Sequence, residues 1–149
     1  DGALFRTPGG IHPEMGHITT SVHRGDACYC GKPNCAEHIL SGSAINRRAG
    51  ELSHASAEEL LDSKEGTSFK EELVSALTDV IATFTTIFHC ETVFIGGGMQ
   101  NFFERYLIEE TQERINKLLP IYGRCTIERC TAQEDAGALG AALLGRNIV

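Results

Sequence analysis

The seven residues TVFIGGG, Thr92 to Gly98, set the order of the chain. Four residues with strand preference run straight into three glycines, which reads as a short buried strand ending in a turn where backbone can pack closely. Upstream, Leu73, Leu77, Val80, Ile81, Phe84 and Phe88 recur at the spacing of one helix face. Downstream, Phe102 to Leu119 reads as an amphipathic helix, Cys125 to Cys130 as a second strand, and Ala136 to Leu144 as a helix of small residues. Strands therefore alternate with helices, and that order predicts an α/β layer with parallel strands.

Working outward, Ser56 with Glu59 and Ser68 with Glu71 each have capping-box spacing. They predict a short helix near Ala57 and the start of the long one that runs to about Phe88. Ala36 to Ala49 reads as helix and His17 to Val22 as a strand. Asp1 to Arg6 resembles the second strand of a hairpin, with Asp1-Gly2 as its turn. A strand edge without its partner is normally covered. The chain is accordingly expected with a companion segment of the same protein or as a homodimer, with the Leu73–Phe88 or Phe102–Leu119 helix face available for contact.

At 149 residues, 42% hydrophobic and 22% charged, the chain is sized for one domain with a single core, here taken as residues 1–149. A net charge of -7 argues against a nucleic-acid partner, because phosphate affinity comes mostly from Lys and Arg. The longest nearly uncharged run, Val80 to His89, is too short to cross a bilayer, so no membrane partner is expected. No charged segment followed by an apolar one marks a signal peptide. Cysteine use points to a reduced, cytoplasmic protein, with Cys90, Cys125 and Cys130 as small buried hydrophobes.

The chemistry gathers in HPEMGHITTSVHRGDACYCGKPNCAEHILSG, His12 to Gly42, which holds four of the six histidines and three of the six cysteines. Cys28, Cys30 and Cys35 form C-x-C-x4-C, and a structural zinc ion closes its shell with a fourth donor. His17 is placed to supply it; the rival donors are His12, His23 and His38, of which His23 could serve instead, while His38 faces the start of a helix and is expected at the solvent. Glu14 sits in E-x-G-H beside His17, and Glu37 in C-x-E beside Cys35. A metal that draws those ligands together carries both carboxylates to one side of the loop. Held so, they can accept charge-assisted hydrogen bonds from sugar hydroxyls.

These residues resemble the ROK family of bacterial sugar kinases and sugar-responsive repressors: GGIHPEMGH (Gly9 to His17), CYCGKPNCAE (Cys28 to Glu37), VFIGGG (Val93 to Gly98) and DAGALGAALL (Asp135 to Leu144). The resemblance implies an α/β, actin-like ATPase (ribonuclease H-like) sugar kinase fold, here its C-terminal lobe with an inserted zinc loop. It implies zinc on His17, Cys28, Cys30 and Cys35, and sugar on Glu14, Glu37 and the second ring nitrogen of His17. It implies ATP with Mg2+ as co-substrate, its nucleotide side formed by Gly96, Gly97, Gly98, Asp135, Ala136 and Gly137. HPEMGH is closest in wording to the fructokinase and mannokinase branch. Asn34 stands where the family usually has glycine before the third cysteine, and Asn tolerates the left-handed backbone such a turn uses.

A kinase of this family also needs a glycine-rich phosphate hairpin and an aspartate acting as general base, and no D-x-G-G-T-like stretch occurs here. The expectation is therefore part of an ATP-dependent hexose kinase, inactive as a fragment. The alternative is the effector domain of a ROK repressor, which a preceding helix-turn-helix would distinguish.

Overall fold

The computed structural model describes residue 5 and residues 7–118, 125–131 and 136–146. A 3-10 turn, Met15–His17, leads into the cysteine loop. Then come α1 (Ala36–Leu40), α2 (Gly42–Glu51), α3 (Ala57–Leu61), α4 (Gly66–Phe88), β1 (Thr92–Ile95), α5 (Gln100–Tyr106), α6 (Ile108–Leu118), β2 (Thr126–Arg129) and α7 (Ala136–Arg146).

Helix α4 is the spine, packed against α1, α3 and α6. Its inward face is Phe69, Leu73, Val74, Leu77 and Ile81, buried with Ile39, Ile45, Leu60, Leu107 and Ile115. Each such side chain contributes about 1.5–3 kcal/mol when removed from water. An ion-pair clasp crosses the same seam, with Arg114 donating to both Glu71 oxygens (2.9 and 2.6 Å) and to Glu110 (2.7 Å). Exposed pairs of this kind contribute under about 1 kcal/mol, so the apolar seam holds α4 to α6 and the clasp fixes their register. Of the two helix faces expected to be open for subunit contact, Leu73, Leu77 and Ile81 of one and Phe102, Phe103 and Ile115 of the other are buried in the chain's own core, Val80 and Phe84 are half-buried, and Phe88 and Leu118 are exposed.

Among the described residues β1 and β2 form a parallel pair, in register from Thr92 opposite Thr126 to Ile95 opposite Arg129. This is the predicted parallel arrangement. Gln112 of α6 pairs with the β2 backbone as a neighbouring strand would, its Oε1 accepting from the Ile127 amide and its Nε2 donating to the Cys125 carbonyl, both at 2.8 Å. Backbone groups at a partly buried edge are satisfied in this way.

Several elements differ from the sequence expectation, each for a local reason. His17 to Val22 is no strand: His17 ends the 3-10 turn, and Thr19 makes an isolated antiparallel bridge to Cys35. The Ala36–Ala49 helix breaks at Ser41, whose backbone is extended and whose Oγ accepts from the Ala44 amide at 3.3 Å, capping α2. The Phe102–Leu119 helix breaks at Leu107, which leaves helical geometry to bury its side chain. Ser56 caps α3 as expected, through the Glu59 amide at 3.1 Å. Ser68 does not cap α4, which starts at Gly66, and the Glu71 carboxylate turns to Arg114 instead. A Cβ at Gly66 would run into the Leu61 and Leu60 carbonyls, so this junction needs glycine. Cys125 is buried as expected, whereas Cys90 and Cys130 are half-buried. The Asp1–Arg6 expectation lies almost wholly outside the described residues. No described helix is long and apolar enough to cross a membrane.

Two side-chain anchors tie the cysteine loop to the spine. Asp79 of α4 accepts from both the amide and the hydroxyl of Ser21 at 2.7 Å. Glu72 accepts from Arg24 Nε at 3.1 Å, and that guanidinium is buried over the Phe69 ring.

Candidate functional site

The loop between Ile18 and Ala36 is closed by backbone. The Thr20 amide donates to the Asn34 carbonyl at 2.9 Å and the Ala36 amide to the Ile18 carbonyl at 3.0 Å. Within it, the Cys28 amide donates to Lys32 and the Gly31 amide to Cys28. The turn is made with positive φ at Gly31 (85°) and Asn34 (60°), the latter confirming that asparagine serves in the glycine position.

This folding gathers His17, Cys28, Cys30 and Cys35, whose ligand atoms all lie within 4.8 Å of one another. Cys28 Sγ is 3.6 Å from His17 Nδ1, and Cys30 Sγ is 3.5 Å from Cys35 Sγ. A zinc ion with Zn–S bonds near 2.3 Å makes a tetrahedron with edges of roughly 3.7 Å, so these pairs have the span of its edges. The sulfurs are too far apart for a disulfide. Burial and the two neighbouring thiols push the Cys35 thiol up to about 12, while the Lys32 amide lowers that of Cys30. Thiols this crowded ionise together only around a cation, and binding one releases their protons. The donor set fits a four-coordinate structural ion of the zinc type.

His17 points Nδ1 into this cluster, which leaves Nε2 facing Glu37 Oε2 at 3.6 Å. Glu37 sits in the first turn of α1, two residues after Cys35. Glu14 precedes the 3-10 turn and lines a cavity of about 620 Å³ with His17, Thr19, Cys30, Lys32 and Thr83. The phenol of Tyr29 is raised by its partial desolvation, then by the Glu37 carboxylate, with Glu14 adding at longer range. Both carboxylates therefore act on the same exposed ring.

Two of the rival histidines are otherwise engaged. His23 is exposed, with Nδ1 2.9 Å from its neighbour Ser21's carbonyl. His38 is not left to solvent: its Nε2 meets Asp26 Oδ2 at 2.7 Å, with Arg47 beside it. That hydrogen bond holds the Asp26 carboxyl below its usual range. Sequence reasoning missed this trio and Tyr29, whose partners come from turns that spacing does not reveal.

Gly96, Gly97 and Gly98 follow β1 directly. Gly97 has φ of 88°, its carbonyl accepts from Gln100, and a Cβ at Gly96 would sit 3.2 Å from Cys130 Cβ. The turn borders a cavity of about 400 Å³ with Ser41, Gly42, Phe94, Met99 and Phe103. Ala136 and Gly137 open α7 after β2. Because β1 and β2 are parallel, their C-terminal ends lie at the same end of the sheet, the usual ligand side of such sheets. Asp135 lies outside the described residues.

The sequence model of the ROK family matches residues 1–148. Similar proteins include the glucokinase of Thermotoga maritima, 29% identical over 95% of this chain and 51% of its own length. The N-acetylmannosamine kinase of Escherichia coli O1:K1 is 32% identical over 97% of this chain and 50% of its own. Among solved structures, the ROK hexokinase of Thermus thermophilus superposes with a TM-score of 0.79 at 25% identity, over 95% of this chain and 51% of that one. A ROK family protein of Streptococcus pneumoniae, solved with sucrose, shares the fold with a TM-score of 0.75 at 18% identity, over 100% of this chain and 54% of that one. The fold is thus the α/β, actin-like ATPase fold of those sugar kinases. The chain spans about half the length of the curated relatives it matches.

Proposed function

The chain belongs to the ROK family, and from that premise we propose that it is the C-terminal, zinc- and sugar-binding lobe of an ATP-dependent hexose kinase. The observation that carries this is the two-sided placement of His17, Nδ1 among the three thiols and Nε2 3.6 Å from the Glu37 carboxylate. A bound zinc ion supplies no chemistry to the transferred phosphoryl group; it fixes the loop. His17 and Glu37 are then held at one height, and Glu14 on the adjoining cavity wall completes a set of acceptors for neighbouring sugar hydroxyls. The hexose is fructose or mannose first, from the HPEMGH wording.

Gly96, Gly97, Gly98, Asp135, Ala136 and Gly137 form the nucleotide side, where closely approaching backbone receives ATP. Mg2+ arrives with that nucleotide. The general base and the phosphate hairpin come from the rest of the protein, because phosphoryl transfer depends on positioning and charge stabilisation from both sides of a cleft. A second copy of the protein completes the assembly as a homodimer.

Calorimetric titration of fructose, mannose and glucose into zinc-loaded protein tests the reading, beside a coupled kinase assay on the complete protein. At least one hexose should bind, and the complete protein should form hexose phosphate from it. A protein that binds zinc and none of the three sugars would overturn the proposal.

A further inference from the structure

Tyr29 stands between two zinc-type ligands, yet its side chain projects outward and the residue is 79% exposed. Its ring meets the His17 imidazole edge-on, with centroids 4.9 Å apart and planes at 81°. Its hydroxyl lies 3.3 Å from one oxygen of Glu37 and 3.5 Å from the other. The phenol therefore sits astride the carboxylate, within the arc from which a ligand hydroxyl would be accepted. Both contacts are long for an O–H···O bond, whose usual length is near 2.7–2.8 Å. The hydroxyl is held weakly enough to yield.

An exposed aromatic ring alone needs no explanation. Here it flanks the two groups proposed to read the sugar and contacts both, edge-on to the imidazole and through its hydroxyl to the carboxylate. A carboxylate has about four lone-pair positions, so a sugar hydroxyl can share Glu37 with the phenol or nudge it aside. A branched substituent of four heavy atoms needs the space of the ring itself.

We propose that Tyr29 is a specificity-determining residue, walling the space beside Glu37 so that a hexose bearing only hydroxyls is admitted in preference to one carrying an acetamido group there. The proposal rests on Glu37 binding sugar. Mannose and N-acetylmannosamine, which differ at one substituent, are the probes. Their dissociation constants are measured calorimetrically on zinc-loaded wild type, Tyr29→Phe and Tyr29→Ala, with zinc content determined on each.

Wild type should prefer mannose. Tyr29→Phe keeps the wall and should hold the ratio of constants within about threefold. Tyr29→Ala should retain zinc and shift the ratio toward N-acetylmannosamine by about tenfold or more, the scale of a steric change in a binding pocket. A ratio unmoved in Tyr29→Ala, or a wild type that already prefers the acetamido sugar, overturns the assignment while leaving hexose binding intact. Zinc lost from Tyr29→Ala also overturns it, since the ring would then be a support for His17. A wild type that binds neither probe yet binds fructose or glucose overturns this assignment and leaves the sugar-site reading standing, whereas one that binds none of these sugars defeats both together.

Discussion

The cysteine loop and the glycine turn solve the problem of holding a ligand in opposite ways. In the loop, chemistry is carried by side-chain atoms: an imidazole, three thiols and two carboxylates, four of these groups within 4.8 Å of one another. At the turn it is carried by backbone: Gly97 at φ of 88°, Gly96 pressed on Cys130, and a cavity whose described lining, Ser41, Gly42, Phe94 and Met99 among it, holds no titratable side chain. The loop needs nothing outside itself, since one ion would close it. The turn is one wall, and what it holds depends on what stands opposite. On the proposed reading as one lobe of a sugar kinase, this chain should show the first property by itself and the second only together with the opposite wall.

The largest expected effect breaks the loop. Cys30→Ser should lose the metal and lower the melting temperature by roughly 10 °C or more, because structural zinc binding is folding free energy. Elemental analysis with thermal unfolding, with and without chelator, checks this; full zinc occupancy in the variant would show the shell is built from other donors. Next is Glu37→Ala, which should weaken hexose binding about ten- to hundredfold while zinc stays, a charged hydrogen bond contributing roughly 1.5–3 kcal/mol. Loss of metal in that variant would instead make Glu37 a support for His17, in the manner of carboxylates that orient metal-bound imidazoles.

Gly97→Ala probes the turn. A side chain forced to positive φ costs about 1–2 kcal/mol, which a denaturant midpoint will register, and zinc content should not change. If zinc falls too, the two regions are not independent. The smallest effect belongs to the α4–α6 clasp, which touches neither region. Hydrogen bonds from Arg114 hold the Glu71 carboxyl below its ordinary 4.5. A depressed folded value stabilises above the unfolded one and is lost as pH falls through the folded one. Wild type should exceed Glu71→Gln by under about 1 kcal/mol at neutral pH, since Glu71 is more than half exposed. The two stability curves should converge as pH falls well below 4.5; a constant gap there would rule out the carboxylate charge as the cause.

What was legible in the sequence follows the same division. Cys28, Cys30, Cys35 and His17 announced themselves because a metal demands several rare residue types together, and the structure gathers all four. The long helix and the parallel pair were legible because periodicity survives whatever packs on it. Helix ends were less so. Ser41 and Leu107 break continuous helical patterns, one by capping and one by burial, and neither event changes the composition of its window. His38 looked like a surface residue until α1 and α2 brought it to Asp26 and Arg47, a contact made by tertiary placement alone. Tyr29 was overlooked as a spacer between cysteines, since its partners His17 and Glu37 meet it through loop geometry.

The two backbone bonds that close the loop, Thr20 to Asn34 and Ala36 to Ile18, have a kinetic meaning. They pin the loop's ends independently of any ion, so most of the entropy of closing it is already lost before a metal arrives. Exchange of a metal bound at the proposed site would then require motion only in the segment inside the collar, around Cys28 to Lys32, without global unfolding. In hydrogen exchange on metal-stripped protein, the Thr20 and Ala36 amides should remain slow while those of Cys28 and Gly31 become fast.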